Sequence, residues 1–172
     1  LGLTYHRECS TPNQLYAFAD ADHAGDIEGR RSVTGYVVML NGGAVSWQSN
    51  RQAVTALSSA EAEYYAASAM GCDVVYLRRL LDSMGFPQEG PTPVAEDNVA
   101  CIYMSKTSSL YHKSKHIDVR VYKLRELVTS GEMELYQVGT TDQAADILTK
   151  SVSGELLRKH RGTILGLPPQ GS

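Results

Sequence analysis

Between Ser58 and Gly85 the chain carries one long stretch of helical periodicity with no proline and, as far as Met70, no glycine. Ala67, Met70, Val74, Leu77 and Leu81 recur three and four residues apart, the stripe of a helix that lies with one face on a core. Ser58-Ser59-Ala60-Glu61 matches a capping box at its start. So long a helix needs a broad surface to bury its stripe, and the sequence before it supplies strands. Asn41-Gly42-Gly43 separates the apolar runs 35–40 and 44–47, and these turn residues tolerate positive φ, so the spacing predicts a hairpin. Residues 15–19 form a further buried strand that stops at the acidic, glycine-containing loop 20–29.

After the long helix the pattern changes. Residues 93–97 read as a strand ending at Asp97, followed by a short helix over 98–104. A second long helix, about 114–129, shows the stripe Ile117, Val121, Leu124 and Val128. Residues 132–138 alternate as a strand, and Thr141 and Asp142 open a helix expected to run through about Lys150. From Ser151 the sequence loses periodicity in places, and Pro168-Pro169-Gln170-Gly171-Ser172 reads as a frayed end. The order βββ-α-β-α-α-β-α implies an α/β (α+β mixed) domain: an antiparallel block, then crossover strands covered by helices. Trp47 is expected in the core, with Arg78-Arg79 and Arg158-Lys159-His160-Arg161 on the surface.

A length of 172 residues suits one domain, and 42% hydrophobic with 20% charged residues excludes disordered and fibrous classes. No stretch approaches the roughly 20 apolar residues of a membrane span, and no signal peptide opens the chain, so an intracellular setting is expected. Cys9, Cys72 and Cys101 are odd in number and scattered, which predicts reduced thiols, mostly in the core. The net charge of -3 argues against a domain that holds nucleic acid unaided.

Four carboxylates stand out against this background. Asp20 and Asp97 fall at the C-terminal ends of predicted strands, where open sheets gather functional groups, although either alone would pass as a turn or cap residue. Glu61 and Glu63 lie roughly 200° apart around the helix, so only one can face the sheet. Glu61 has the capping-box role, whereas Glu63 heads the apolar stripe. Asp146 interrupts Ala144-Ala145-Asp146-Ile147-Leu148 where an aliphatic residue is expected, while Asp142 has a simple role as a helix-start residue. Four acids without matching arginines repel, and a hard divalent cation resolves the repulsion; an all-oxygen set favours magnesium or manganese over zinc. Lys113, Lys115, Arg120, Lys123 and Arg125 read equally as a solvated helix face or a phosphate-binding edge. His112 and His116 have helical metal-ligand spacing but no third ligand nearby.

Several blocks occur in one order: Phe18-Ala19-Asp20-Ala21-Asp22-His23-Ala24-Gly25-Asp26, Arg31-Ser32-Val33-Thr34-Gly35-Tyr36, Ala44-Val45-Ser46-Trp47, Ala56-Leu57-Ser58-Ser59-Ala60-Glu61-Ala62-Glu63-Tyr64, Glu96-Asp97-Asn98, Lys115-His116-Ile117-Asp118-Val119-Arg120 and Ala145-Asp146-Ile147-Leu148-Thr149-Lys150. Over about residues 13–152 this succession resembles the ribonuclease H domain of Ty1/copia-type retrotransposon polyproteins. The resemblance implies a ribonuclease H-like fold with a five-stranded mixed sheet, and a site of Asp20, Glu63, Asp97 and Asp146 that binds two Mg2+ ions, with Mn2+ able to substitute. It implies cleavage of the RNA strand of RNA-DNA hybrids, selected through 2′-hydroxyls rather than bases. The expected partner is the reverse transcriptase polymerase domain of the same polyprotein. Residues 1–12 would then end the polymerase connection and 153–172 form a C-terminal extension. The expected location is a cytoplasmic virus-like particle, or the nucleus. His23 stands where many relatives have Trp, and 136–146 lacks the histidine that cellular ribonucleases H carry before the last acid. The alternatives are a three-acid integrase-type core and a catalytically silent binding or dimerisation module of the same fold.

Overall fold

The computed structural model of the chain describes residues 2–9, 11–25, 31–107 and 115–168, the last run with side chains from 122 onward. Five strands, β1 (Leu15–Asp22), β2 (Val33–Leu40), β3 (Gly43–Arg51), β4 (Thr92–Glu96) and β5 (Met133–Gln137), form one sheet in the order β3-β2-β1-β4-β5. The first three pair antiparallel, whereas β1–β4 and β4–β5 are parallel, which is the mixed sheet expected. Asn41 (φ 51) and Gly42 (φ 83) are both left-handed, so a two-residue type I′ turn joins β2 to β3, as the Asn-Gly pair predicts.

Helices α1 (Ser59–Ser83), α2 (Val99–Lys106) and α3 (Lys115–Thr129) pack together and on one face of the sheet. Ala67, Met70, Val74 and Leu81 of the α1 stripe are buried against Leu15, Ala17 and Ala19, the alternate residues of β1. Tyr16 and Phe18 point to the opposite face, where Val37, Met39 and Ala44 pack with Leu148 and Ile164.

Two regions depart from the sequence-based expectation. The helix expected over 141–150 is instead two turns of 3-10 helix, Thr140–Asp142 and Ala144–Leu148. Gln143 breaks the helix between them: its backbone is extended (φ -78, ψ 96) and its side chain is fully buried under the sheet. Beyond Ser151 the chain forms α4 (Gly154–Leu165), capped by Ser153, which accepts from the Leu156 amide, and closed by left-handed Gly166. Residues near the start reach this helix, since the Thr4 amide donates to the Leu165 carbonyl at 2.8 Å. Trp47 is 57% exposed, because β3 is an edge strand and α4 covers it only in part. Cys101 alone of the three thiols is buried; Cys9 is half-buried and Cys72 exposed. Arg78 is not surface charge but ties α1 to the sheet through Glu132 (2.7 Å), Thr92 and the Gly90 carbonyl, and His160 is buried.

The Ala144–Leu148 turn approaches β2 so closely at Gly35 that a methyl group there would stand 2.5 Å from Thr149 Cγ2 and 3.0 Å from Leu148 Cβ. Gly35→Ala should therefore lower the unfolding free energy by about 1–3 kcal/mol, measured by urea denaturation; an unchanged midpoint would contradict this close packing.

Candidate metal centre

Asp20 lies near the end of β1, opposite Gly35, and is only 1% exposed. Parallel pairing of β1 with β4 is confined to Ala17–Val94 and Phe18–Ala95. Past that point the Gln143 side-chain amide bridges the two strands, donating to the carbonyls of Ala19 (2.8 Å) and Ala95 (3.3 Å). Asp20, the next residue of β1 after Ala19, and Asp97, directly after β4, thus stand side by side at this end of the sheet. From above, α1 lowers Glu63 into the same space. Glu61 is occupied elsewhere: its amide donates to the Ser58 hydroxyl, and its carboxylate accepts from the Leu57 amide (2.7 Å) and the Tyr65 hydroxyl (2.6 Å). The capping glutamate thus reaches one residue beyond the N-cap amide expected of it.

One oxygen each of Asp20, Glu63 and Asp97 lie within 4.8 Å of one another. Asp146 stands outside this group and joins it through a cation, because Lys150 Nζ is 2.9 Å from Asp146 Oδ1 and 3.6 Å from Asp20 Oδ1. The Thr149 hydroxyl donates to Asp20 from the same turn.

No protein-family model matches the chain. Its relatives nevertheless include the retrovirus-related Pol polyprotein from transposon TNT 1-94 of Nicotiana tabacum, 42% identical over 138 residues, which are 80% of this chain and 10% of that protein. The chain is a homologue of Ty1/copia-type transposon Pol polyproteins. It spans about a tenth of the length of these relatives. Solved structures show the ribonuclease H fold: the N-terminal RNase H domain of a Mycobacterium tuberculosis protein matches with TM-score 0.58 at 15% identity, over 86% of this chain and 96% of that one. The foamy viral protease-reverse transcriptase, solved in complex with an RNA/DNA hybrid, matches with TM-score 0.52 at 12% identity, over 87% of this chain and 21% of that one.

Within this ribonuclease H fold the carboxylates are crowded enough to resist ionisation. Burial, then the Glu96, Asp20 and Asp97 charges, push Glu63 far above the usual carboxylate range, while the Ala21 amide pulls the other way. Burial likewise raises Asp97, with Asp20 adding to it, and lifts Asp146 to about 6 against the pull of Lys150. Glu63 Oε2 is buried without a hydrogen-bond partner among the described residues.

Sequence reasoning missed three members of this neighbourhood. Glu96 is a fully buried fifth carboxyl, accepting from the Asn98 amide at 3.1 Å, and burial is the main cause that raises it to about 8. Its signal was available, since a strand between two parallel neighbours is buried on both faces. Gln143 and Lys150 gave no local signal, because their roles depend on where a short turn crosses the sheet. Of the basic residues, Lys123 pairs with Glu126, and Arg125 donates to the Met104 carbonyl. The placements of Asp26, His112 and Lys113 and the side chains of Lys115, His116 and Arg120 lie outside the described residues.

Two outcomes are expected. Glu96 is raised on folding from 4.5 to about 8, so the folded state holds more protons than the unfolded one in that window. Stability of the metal-free chain should then fall as pH rises from about 4.5 to 8, with Glu63 and Asp146 contributing in the same direction, and a divalent cation should flatten the trend. Thermal melts across this range, with and without Mg2+, test the sign. Separately, Gln143→Leu strands the Ala19 and Ala95 carbonyls and should cost roughly 2 kcal/mol or more in urea denaturation.

Proposed function

We propose that this chain is a metal-dependent endonuclease that hydrolyses the RNA strand of RNA-DNA hybrids during retrotransposon reverse transcription. In this reading Asp20, Glu63, Asp97 and Asp146 hold two Mg2+ ions, with Mn2+ able to replace them. The observation that carries it is the convergence of Asp20, Glu63 and Asp97 oxygens within 4.8 Å at the end of the central strands β1 and β4. The residues fit a hard divalent cation: the donors are all oxygen, and Glu63 Oε2 has no hydrogen-bond partner among the described residues. When bound, such ions activate a water and stabilise the departing 3′ oxygen in an in-line displacement at phosphorus.

The chain's own contribution is to hold its acids ready. Thr149 and Lys150 orient Asp20, the α1 N-terminus is anchored so that Glu63 and not Glu61 faces the sheet, and Gln143 braces the strands before Asp20 and Asp97. The hybrid as substrate is supported by the likeness to the foamy viral protein. Its association with reverse transcriptase, and the Pol polyprotein context of the relatives, support a polymerase domain as partner. A net charge of -3 agrees with a domain that relies on bound metal and on that partner for nucleic-acid affinity.

The test is cleavage of a labelled RNA-DNA hybrid in Mg2+ and in Mn2+, beside single-stranded RNA and duplex RNA. Cutting restricted to the hybrid, and slowed by more than about a hundredfold in Asp97→Asn, is the expected result. A folded, metal-binding chain that leaves the hybrid intact would point instead to a silent module of the same fold.

A further inference from the structure

Lys150 is the one ammonium or guanidinium among the described residues that pairs with any of the four acids. Its side chain is 35% exposed, whereas Asp20 and Asp146 are at most 3% exposed, so it enters the acidic site from solvent. The Lys150 amide also bonds to the Asp146 carbonyl at 3.0 Å, which fixes the base of the side chain beside that acid. The ammonium therefore contacts both Asp20 Oδ1 and Asp146 Oδ1, while neither Glu63 nor Asp97 forms an ion pair with it.

We infer that Lys150 is a built-in competitor for the ion shared by Asp20 and Asp146. The inference rests on the two-metal reading above. Two buried carboxylates without a cation are costly, and in the metal-free protein the ammonium supplies the compensating charge. A divalent ion taking up the same oxygens must expel it, and the flexible four-carbon stem gives it a route to solvent. The two halves of the centre are consequently unequal. An ion held by Asp20, Glu63 and Asp97 displaces one of the two ammonium contacts at most, whereas an ion held by Asp20 and Asp146 displaces both. The first binds more tightly and the second loads last.

Calorimetric titration of Mn2+ into the chelator-treated 172-residue chain tests this, with thermal melts of the metal-free and Mn2+-saturated forms. The wild type should show one tighter and one weaker ion. In Lys150→Gln the weaker ion should bind roughly tenfold more tightly, the metal-free form should melt lower, and the rise in Tm on adding Mn2+ should grow. Lys150→Met should behave the same way and reads the same quantity if Lys150→Gln folds poorly. Lys150→Arg, which keeps the charge, should remain close to wild type. An unchanged two-ion isotherm in Lys150→Gln, or a Tm lowered equally with and without Mn2+, overturns the competitor role and leaves the metal centre standing. Absence of Mn2+ binding in every variant and in the wild type overturns both.

Discussion

Placing five carboxyl groups at one end of a sheet, most of them nearly inaccessible to water, is a cost that every neighbouring element helps to meet. Asp20, Glu63, Glu96 and Asp146 are all buried, and a charge withdrawn from water is tolerated only when paired, hydrogen-bonded or protonated. The chain uses all three means. Lys150 pairs Asp20 and Asp146, the Thr149 hydroxyl also bonds Asp20, the Ala21 and Asn98 amides bond Glu63 and Glu96, and the latter two retain protons well above the ordinary carboxylate range. A divalent cation held there, as proposed, would relieve the remaining electrostatic strain, which is how a fold can store affinity for a metal.

The rest of the architecture follows from keeping those groups together. β1 and β4 pair over only two register positions before Gln143 takes over as the bridge between them. That one side chain also breaks what would otherwise be a continuous helix, and the resulting 3-10 turn runs against Gly35 and delivers Asp146, Thr149 and Lys150 to the open end of β1. α4 packs on this turn from outside, and the segment around Thr4 pins the C-terminal end of α4 through the Leu165 carbonyl.

Homology to one segment of a much longer polyprotein gives this economy a context. A domain of net charge -3 has little electrostatic attraction of its own for a nucleic acid, and the reading proposed for it leaves capture of substrate largely to a polymerase on the same polypeptide. An unequal pair of metal sites would add a second control, since the centre would be complete only when the ammonium has left.

Much of this was legible in the linear chain. Period-two and period-3.6 patterning located the strands and the α1 stripe, Asn41-Gly42 specified its turn, and the choice between Glu61 and Glu63 followed from helical geometry and capping. These are properties of neighbours in sequence, which is why the residues alone determined them. Trp47, Glu96, Gln143 and Lys150 were decided by tertiary structure: an edge strand exposes a side chain that alternation would bury, and a central strand buries one that charge would expose. The 3-10 break at Gln143 and the reach of Lys150 to Asp20 depend on contacts 124 and 130 positions apart, and no local propensity encodes an interaction whose partner arrives only when the sheet has formed.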